Sequence, residues 1–341
     1  FAEASRKLES KDKFFYPFLQ IEAVSEEIDI LCDKDEEISD FEFLQLLGGH
    51  RKNQKNMLGN QYKSILDLIE NAGTNPERFF TELLQNMDDC IYRKVPNAVI
   101  RYDKIGDKHK LICEYNEVGF SREQIRAITA IGDSTKKKLL SSETTGEKGV
   151  GFKSVFGICN SVVIESGNFS FRLSAEKPTV PEYIKKIETR KGTRMVFTLK
   201  FQQVNQVNLL LNDVNKIIKN CLCLKKLHNI YINQKELKIT DKLNRRVVSF
   251  DEENFEFFLY KHPINVTNRI ALYERRKAKD VLQKQEVCYI IPLKYPEDYC
   301  PDYRVYSTFP TLEKVEIPMI INMPLELDTA RERIRECEWN K

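Results

Sequence analysis

The stretch that most constrains this chain is Thr81-Glu82-Leu83-Leu84-Gln85-Asn86-Met87-Asp88-Asp89. At roughly 100° per residue, Glu82, Asn86 and Asp89 fall on one narrow stripe of a helix. Phe79, Phe80, Leu83, Leu84, Met87 and Ile91 cover much of the remaining circumference. A helix apolar over most of its surface is usually buried. Its carboxylates and amide then either line a cavity or stay unpaired, at a few kcal/mol each. An amphipathic helix with its polar stripe in water fits the same residues.

A second stretch, Gly146-Glu147-Lys148-Gly149-Val150-Gly151-Phe152-Lys153-Ser154-Val155-Phe156, reads as a glycine-rich turn entering an apolar, helix-like segment. Glycines let backbone amides approach a ligand closely, and a following helix N-terminus favours anions. Such a turn is weak evidence alone and strong evidence beside the first stretch.

Together the two stretches resemble the GHKL ATPases, which include gyrase B, the ninety-kilodalton heat-shock chaperone, MutL, MORC proteins and histidine kinases. Glu82, Asn86 and Asp89 match the family's first motif, and Gly146, Gly149 and Gly151 match its phosphate motif. Lys191-Gly192-Thr193-Arg194 matches its late Gly-Thr strand. Asn116-Glu117-Val118-Gly119-Phe120 and Ile131-Gly132-Asp133-Ser134-Thr135-Lys136 look most like the sacsin and No Vein branch. The resemblance covers residues 55–200 well and the remainder loosely.

It implies an α+β fold: a Bergerat-type two-layer α/β sandwich ATPase domain over 56–200, then a second, transducer-like α+β domain over 201–341. Residues 1–55 read as an N-terminal helical arm whose short helices end near Gly48-Gly49, with its aromatic clusters packed on the protein's own surface or used for docking.

Hydrolysis of ATP needs a water-orienting base, a metal on the phosphates and donors for developing charge. By resemblance, Glu82 activates the water, Asn86 gives its amide oxygen to Mg²⁺, and Asp89 bonds around the nucleotide. Gly146, Gly149, Val150 and Gly151 bring the backbone to the phosphates, with Lys148 and Lys153 adding charge; for both lysines an exposed surface position is the alternative. Phe152 packs at the pocket wall, Phe120 is among the nucleotide-binding residues, and Thr193 fixes the adenine through its hydroxyl. Where the family places an Asp for the adenine amino group, Tyr115, Asn116 and Glu117 all compete, beside Gly119. The polar stretch 132–147 reads as a lid. Arg331 is a candidate to report the γ-phosphate, against a surface helix of Glu/Arg pairs.

Composition narrows the partners. Lys+Arg 54 against Asp+Glu 51 leaves +3, too balanced to argue for nucleic acid. No apolar run approaches the roughly eighteen residues of a membrane helix. The nine cysteines show no zinc or disulfide spacing, which suits a reducing, intracellular setting, cytoplasmic or nuclear. The chain starts at Phe1 and reads as an excerpt of a longer polypeptide. The expected activity is slow, Mg²⁺-dependent ATP hydrolysis in a chaperone-like machine, with a nucleotide-dependent homodimer. A MORC/MutL-like nucleic-acid clamp and a non-hydrolysing ATP sensor are the alternatives, and the client protein or nucleic acid stays open.

Overall fold

The computed structural model describes residues 38–59, 62, 74–130, 152–185, 191–264, 285–328, 332–337 and 340. Two helices, α1 (Asp40–Leu58) and α2 (Pro76–Asp88), precede the first hairpin. That hairpin is β1 (Asn97–Ile105) with β2 (Lys108–Tyr115), and α3 (Arg122–Thr129) follows it. A 3-10 turn over Phe152–Gly157 leads into β3 (Cys159–Ser166), β4 (Phe169–Ser174), β5 (Lys177–Tyr183) and β6 (Thr193–Leu199). Then come α4 (Val204–Leu210) and α5 (Val214–Cys221). The antiparallel run β7 (Asn229–Ile232), β8 (Lys235–Lys242), β9 (Arg245–Phe250) and β10 (Glu253–Ile264) follows. The last strands are β11 (Gln285–Lys294), β12 (Arg304–Ser307), β13 (Phe309–Lys314) and β14 (Ile320–Asn322).

All fourteen strands join one mixed sheet in the order β13-β12-β14-β11-β10-β9-β8-β7-β1-β2-β6-β3-β4-β5. The parallel pairs are β1 with β7 and β12 with β14. The sheet therefore joins strands from both sides of residue 200. Six hairpins turn on two residues, and in five of them the first loop residue is left-handed: Gly106, Gly167, Asn233, Leu243 and Asp251; the sixth, β4–β5, turns on Ala175-Glu176 without one. Such backbone twist matches that of the flanking strands. β6 alternates buried and half-buried residues along its whole length, the period of a strand with one face in the core.

The helix α2 lies on that core face. Asn75 caps it by accepting the N–H of Glu77, and Pro76 opens its first turn. Phe79 meets Phe197 of β6 edge-on, with centroids 5.3 Å apart. Three polar ties hold α2 to the segment around α5. Lys219 donates to Glu77 at 2.8 Å, Thr81 donates to Asn220 at 2.8 Å, and Asp88 accepts backbone N–H groups of Lys225, Lys226 and Leu227.

Several expectations change. α1 runs through Gly48-Gly49 instead of ending there. A Cβ at Gly48 would sit 3.0 Å from the Pro181 carbonyl, so this glycine permits close packing on β5. The aromatic residues of α1 pack on the protein itself, Phe41 against Tyr183 and Phe43 against Phe169; the cluster at 14–18 lies outside the described residues. Residues 204–221 form two helices, α4 and α5, because Asp213 leaves the helix and accepts the N–H of Lys216 as a new N-cap. Ile91 lies past the end of α2 and is 64% exposed. β5 carries Pro178 and Pro181, tolerated because β5 pairs only with β4 at the sheet's edge. Among the described residues, no helix is long and apolar enough to cross a membrane.

Candidate functional site

The polar stripe of α2 turns inward. Glu82 is 6% exposed, Asn86 is half-buried, and both line a cleft with Leu83, Met87, Tyr115, Phe152, Val155 and Met195. α2 forms one wall. β2 and β6 supply Tyr115 and Met195, and the 3-10 turn closes another side with Phe152 and Val155. A carboxylate and an amide thus share one mostly apolar cleft, an arrangement typical of ligand sites. Three of the expected residues, Glu82, Asn86 and Phe152, meet here.

Asp89 stands at the C-cap of α2, 8% exposed, and is not among the residues lining the cleft. Its neighbour Asp88, absent from the sequence expectations, is 2% exposed, and its two carboxylate oxygens accept three N–H groups at 2.8–3.0 Å. Lys153 is 2% exposed, so the surface-lysine alternative fails for it. Gly146, Lys148, Gly149, Val150, Gly151 and Arg331, like the stretch 132–147, lie outside the described residues.

The β2–β6 pairing puts Tyr115 directly opposite Thr193, and a buried polar cluster forms beside that pair. The Thr193 hydroxyl donates to Glu117 Oε1 in a very short hydrogen bond. Ser166 bridges the two, 3.4 Å from Glu117 Oε1 and 2.5 Å from Thr193 Oγ1, and accepts the N–H of Phe120 at 2.8 Å. Glu117, Ser166 and Thr193 are 4%, 0% and 1% exposed. Burial raises the Glu117 pKa above the ordinary carboxylate range, while hydrogen bonds from Thr193, the Gly119 backbone and Ser166 pull against that rise.

Backbone geometry builds this cluster. Gly119 and Gly192 both have positive φ, and a Cβ on Gly192 would lie 2.4 Å from the Tyr115 carbonyl oxygen. Glycine is the residue that lets the two strands approach so closely.

Tyr115, Asn116 and Glu117 have different surroundings. The Asn116 amide donates to the Val95 carbonyl and accepts the Asn97 N–H, fastening the start of β1. Tyr115 is buried in the cleft wall, its hydroxyl pKa pushed well above normal by that burial. Only Glu117 joins Thr193. Ser166 was missed because a serine closing a β-strand carries no spacing signal; its role depends on the pairing of β3 with β6, where it sits opposite Thr193.

Residues 55–233, slightly more than half of the chain, match the family model described as the Sacsin domain. The chain belongs to this family. The chain is 34% identical over 110 residues to Protein NO VEIN of Arabidopsis thaliana, covering 32% of this chain and 4% of that protein. It is 34% identical over 125 residues to Sacsin of Homo sapiens, 34% of this chain and 3% of that protein. Chaperone protein HtpG of Chlorobium chlorochromatii is 24% identical over 241 residues, 59% of this chain and 36% of HtpG. The chain thus spans a small fraction of NO VEIN and sacsin and about a third of HtpG. The sacsin-domain match ends at residue 233, immediately after β7.

Proposed function

We propose that this sacsin domain binds ATP with Mg²⁺ and hydrolyses it slowly, in a chaperone-related machine. One observation carries the reading: Glu82 and Asn86 share a cleft whose wall residue Tyr115 stands opposite Thr193, beside Glu117. A reactive end and a base-reading end are then neighbours in one site. The kinship with HtpG, whose name is that of a chaperone protein, supports the same reading.

In this reading the purine lies near Glu117 and Thr193, the sugar and phosphates run along α2, and Glu82 takes a proton from the attacking water. Its place in a mostly apolar cleft, one helical turn from Asn86, suits a residue that accepts that proton. Asn86 offers its amide oxygen to Mg²⁺, a hard cation that takes oxygen ligands and keeps waters. Among the described residues no three His, Cys, Asp or Glu side chains converge to hold a metal. In this reading Asn86 would supply the protein's oxygen to a cation carried in on the phosphates. Bound Mg²⁺ would neutralise charge developing on the phosphates.

The three ties from α2 to α5 and residues 225–227 offer a route by which nucleotide binding reaches the strands after β7. This suits a Bergerat-type unit over 56–200 that drives a transducer-like unit over 201–341, with β7 laid against β1. ATP turnover and nucleotide affinity of the purified chain, with and without Mg²⁺, test the proposal. Binding without turnover would leave an ATP sensor, and no binding of any nucleotide would sink the reading.

A further inference from the structure

The short connection from α2 to β1, residues 89–96, holds aliphatic side chains out into water. Ile91 is 64% exposed and Val95 72%, and Val118, just after β2, is 41% exposed. Exposed aliphatic residues scattered singly need no explanation, but these three are gathered and held. Val118 donates its N–H to the Ile91 carbonyl at 3.0 Å. The Asn116 side chain donates to the Val95 carbonyl and accepts the Asn97 N–H, clasping Pro96 between them. The Tyr92 hydroxyl ties the same connection to the Met87 carbonyl at 2.7 Å.

Charges around this patch sort by sign. Its carboxylates are inside: Asp88, Asp89 and Glu117 are 2%, 8% and 4% exposed. Its cations are outside. Arg93 and Lys94 are exposed within the connection itself, and Lys225 is exposed where the chain crosses the end of α2. Lys226 beside it donates to the Cys90 carbonyl, next to Ile91. The complement of an aliphatic patch with a positive rim is a segment both aliphatic and acidic.

The chain carries such a segment outside the described residues. Residues 21–37 hold eight Asp and Glu against one Lys. Ile21, Val24, Ile28 and Leu31 recur three or four positions apart, the spacing that lines up apolar side chains for a groove and leaves the carboxylates on the other side. The point where this segment joins the fold is fixed. The Ile38 carbonyl accepts the Arg122 guanidinium at 2.6 Å, and the same guanidinium pairs with Asp40. Arg122 comes four residues after Val118, at most about 14 Å of chain. From Ile38 back to Leu31 an extended chain covers up to about 25 Å. The acidic segment is long enough to reach the patch within one molecule.

We propose that residues 21–37 dock on the patch of Ile91, Val95 and Val118 of their own molecule, with their carboxylates against Arg93, Lys94 and Lys225. Docked there, the segment borders the cleft on the side where α2 ends and Glu117 begins. The contact holds whatever the cleft binds.

Hydrogen exchange on the full chain tests it. Wild type is compared with Val95→Asp, with the pair Arg93→Glu and Lys94→Glu, and with Leu243→Asp, a control at an exposed residue of the β8–β9 turn. Residues 21–37 should exchange about tenfold more slowly in wild type and control than in either patch variant. A reciprocal variant, Glu26→Gln with Glu27→Gln and Asp29→Asn, alters no described residue, and in it residues 90–95 should lose protection. It keeps the proposal testable should a patch variant fail to fold. Equal exchange of 21–37 in wild type and patch variants overturns the proposal. Fast exchange of 21–37 in the wild type overturns it too, leaving the patch to a different partner. Protection that appears only as concentration rises, together with dimers in sedimentation, assigns the patch to the segment of a second copy and overturns docking within one molecule.

Discussion

The carboxylate of Asp88, at the end of α2, accepts the backbone N–H of Leu227 at 2.8 Å from across 139 positions of sequence. Two further amides, of Lys225 and Lys226, converge on the same carboxylate. On the other side of this segment the buried Arg246 of β9 donates to the carbonyls of Leu222 and Leu224, and its guanidinium forks onto Asp241. Residues 222–227 are thus pinned at their amides by the cleft helix and at their carbonyls by a strand of the second half.

Asp88→Ala leaves three buried or half-buried N–H groups without their acceptor, each at about 1–3 kcal/mol when unsatisfied. Allowing for water entering the gap, a loss of about 3 kcal/mol of stability is expected. Urea unfolding checks it: a variant within about 0.5 kcal/mol of wild type would show that the carboxylate does not hold this segment.

Asn86→Ala should remove the Mg²⁺-dependent part of ATP affinity and leave the metal-free affinity unchanged, because its amide oxygen is assigned to the cation alone. Calorimetry with and without Mg²⁺ decides it; equal magnesium gains in both proteins remove Asn86 from the metal.

Glu82→Gln keeps the shape of the side chain and loses the base. ATP binding should persist while turnover drops by on the order of 10²-fold or more. Single-turnover hydrolysis as fast as wild type would end the assignment.

Glu117 gives the chain a dependence on pH. Its folded-state pKa is raised, by burial first, above the ordinary value it has when unfolded. Stabilisation from its neutral form is fully present below the unfolded pKa and is lost as pH rises through the folded one. From about pH 4 to pH 7, Glu117→Gln should therefore gain stability relative to wild type. ATP affinity should move the other way in the wild type, rising with pH as the carboxylate ionises and can accept the amine. Cys90, Tyr92 and Tyr115 share this neighbourhood, and burial raises the two tyrosine hydroxyls further above their ordinary range, away from the window. Parallel stability curves for the two proteins would refute the assignment to Glu117.

Gly192→Ala adds a Cβ at 2.4 Å from the Tyr115 carbonyl, on a backbone with φ of +93°. Strain and displacement together should cost about 2–4 kcal/mol, seen as a lowered melting temperature. An unaffected melting temperature would mean that the β2–β6 approach is looser than described.

The sequence made the cleft helix legible because its signal is local. Asn75-Pro76 marks the start, and apolar residues surround a polar stripe at helical spacing. The same holds for β1, β2, β3, β4 and β6, where residues alternate within one strand, and for the Ser121 capping box of α3. What escaped depends on pairing between distant segments. Ser166 and Asp88 look ordinary until β3 lies beside β6 and residues 225–227 fold over the end of α2. Prolines concealed β5, since its place at the sheet edge is a property of the whole topology. The choice among Tyr115, Asn116 and Glu117 had the same character: three adjacent residues differ only in which way each faces once β2 ends.

The parallel contact between β1 and β7 bears on how the molecule can be divided. A fragment cut after residue 200 would keep β1 and lose its neighbour, leaving a row of unpaired N–H and C=O groups from Asn97 to Ile100. An open strand of that kind recruits other chains and seeds aggregation. A cut beyond Ile232 keeps the β1–β7 pair and instead exposes the outer edge of β7 over Asn229–Ile232, which β8 covers in the whole chain. The sacsin-domain match stops within one residue of Ile232. A fragment that keeps β1 paired on both sides must therefore carry β7, although that strand comes after α4 and α5.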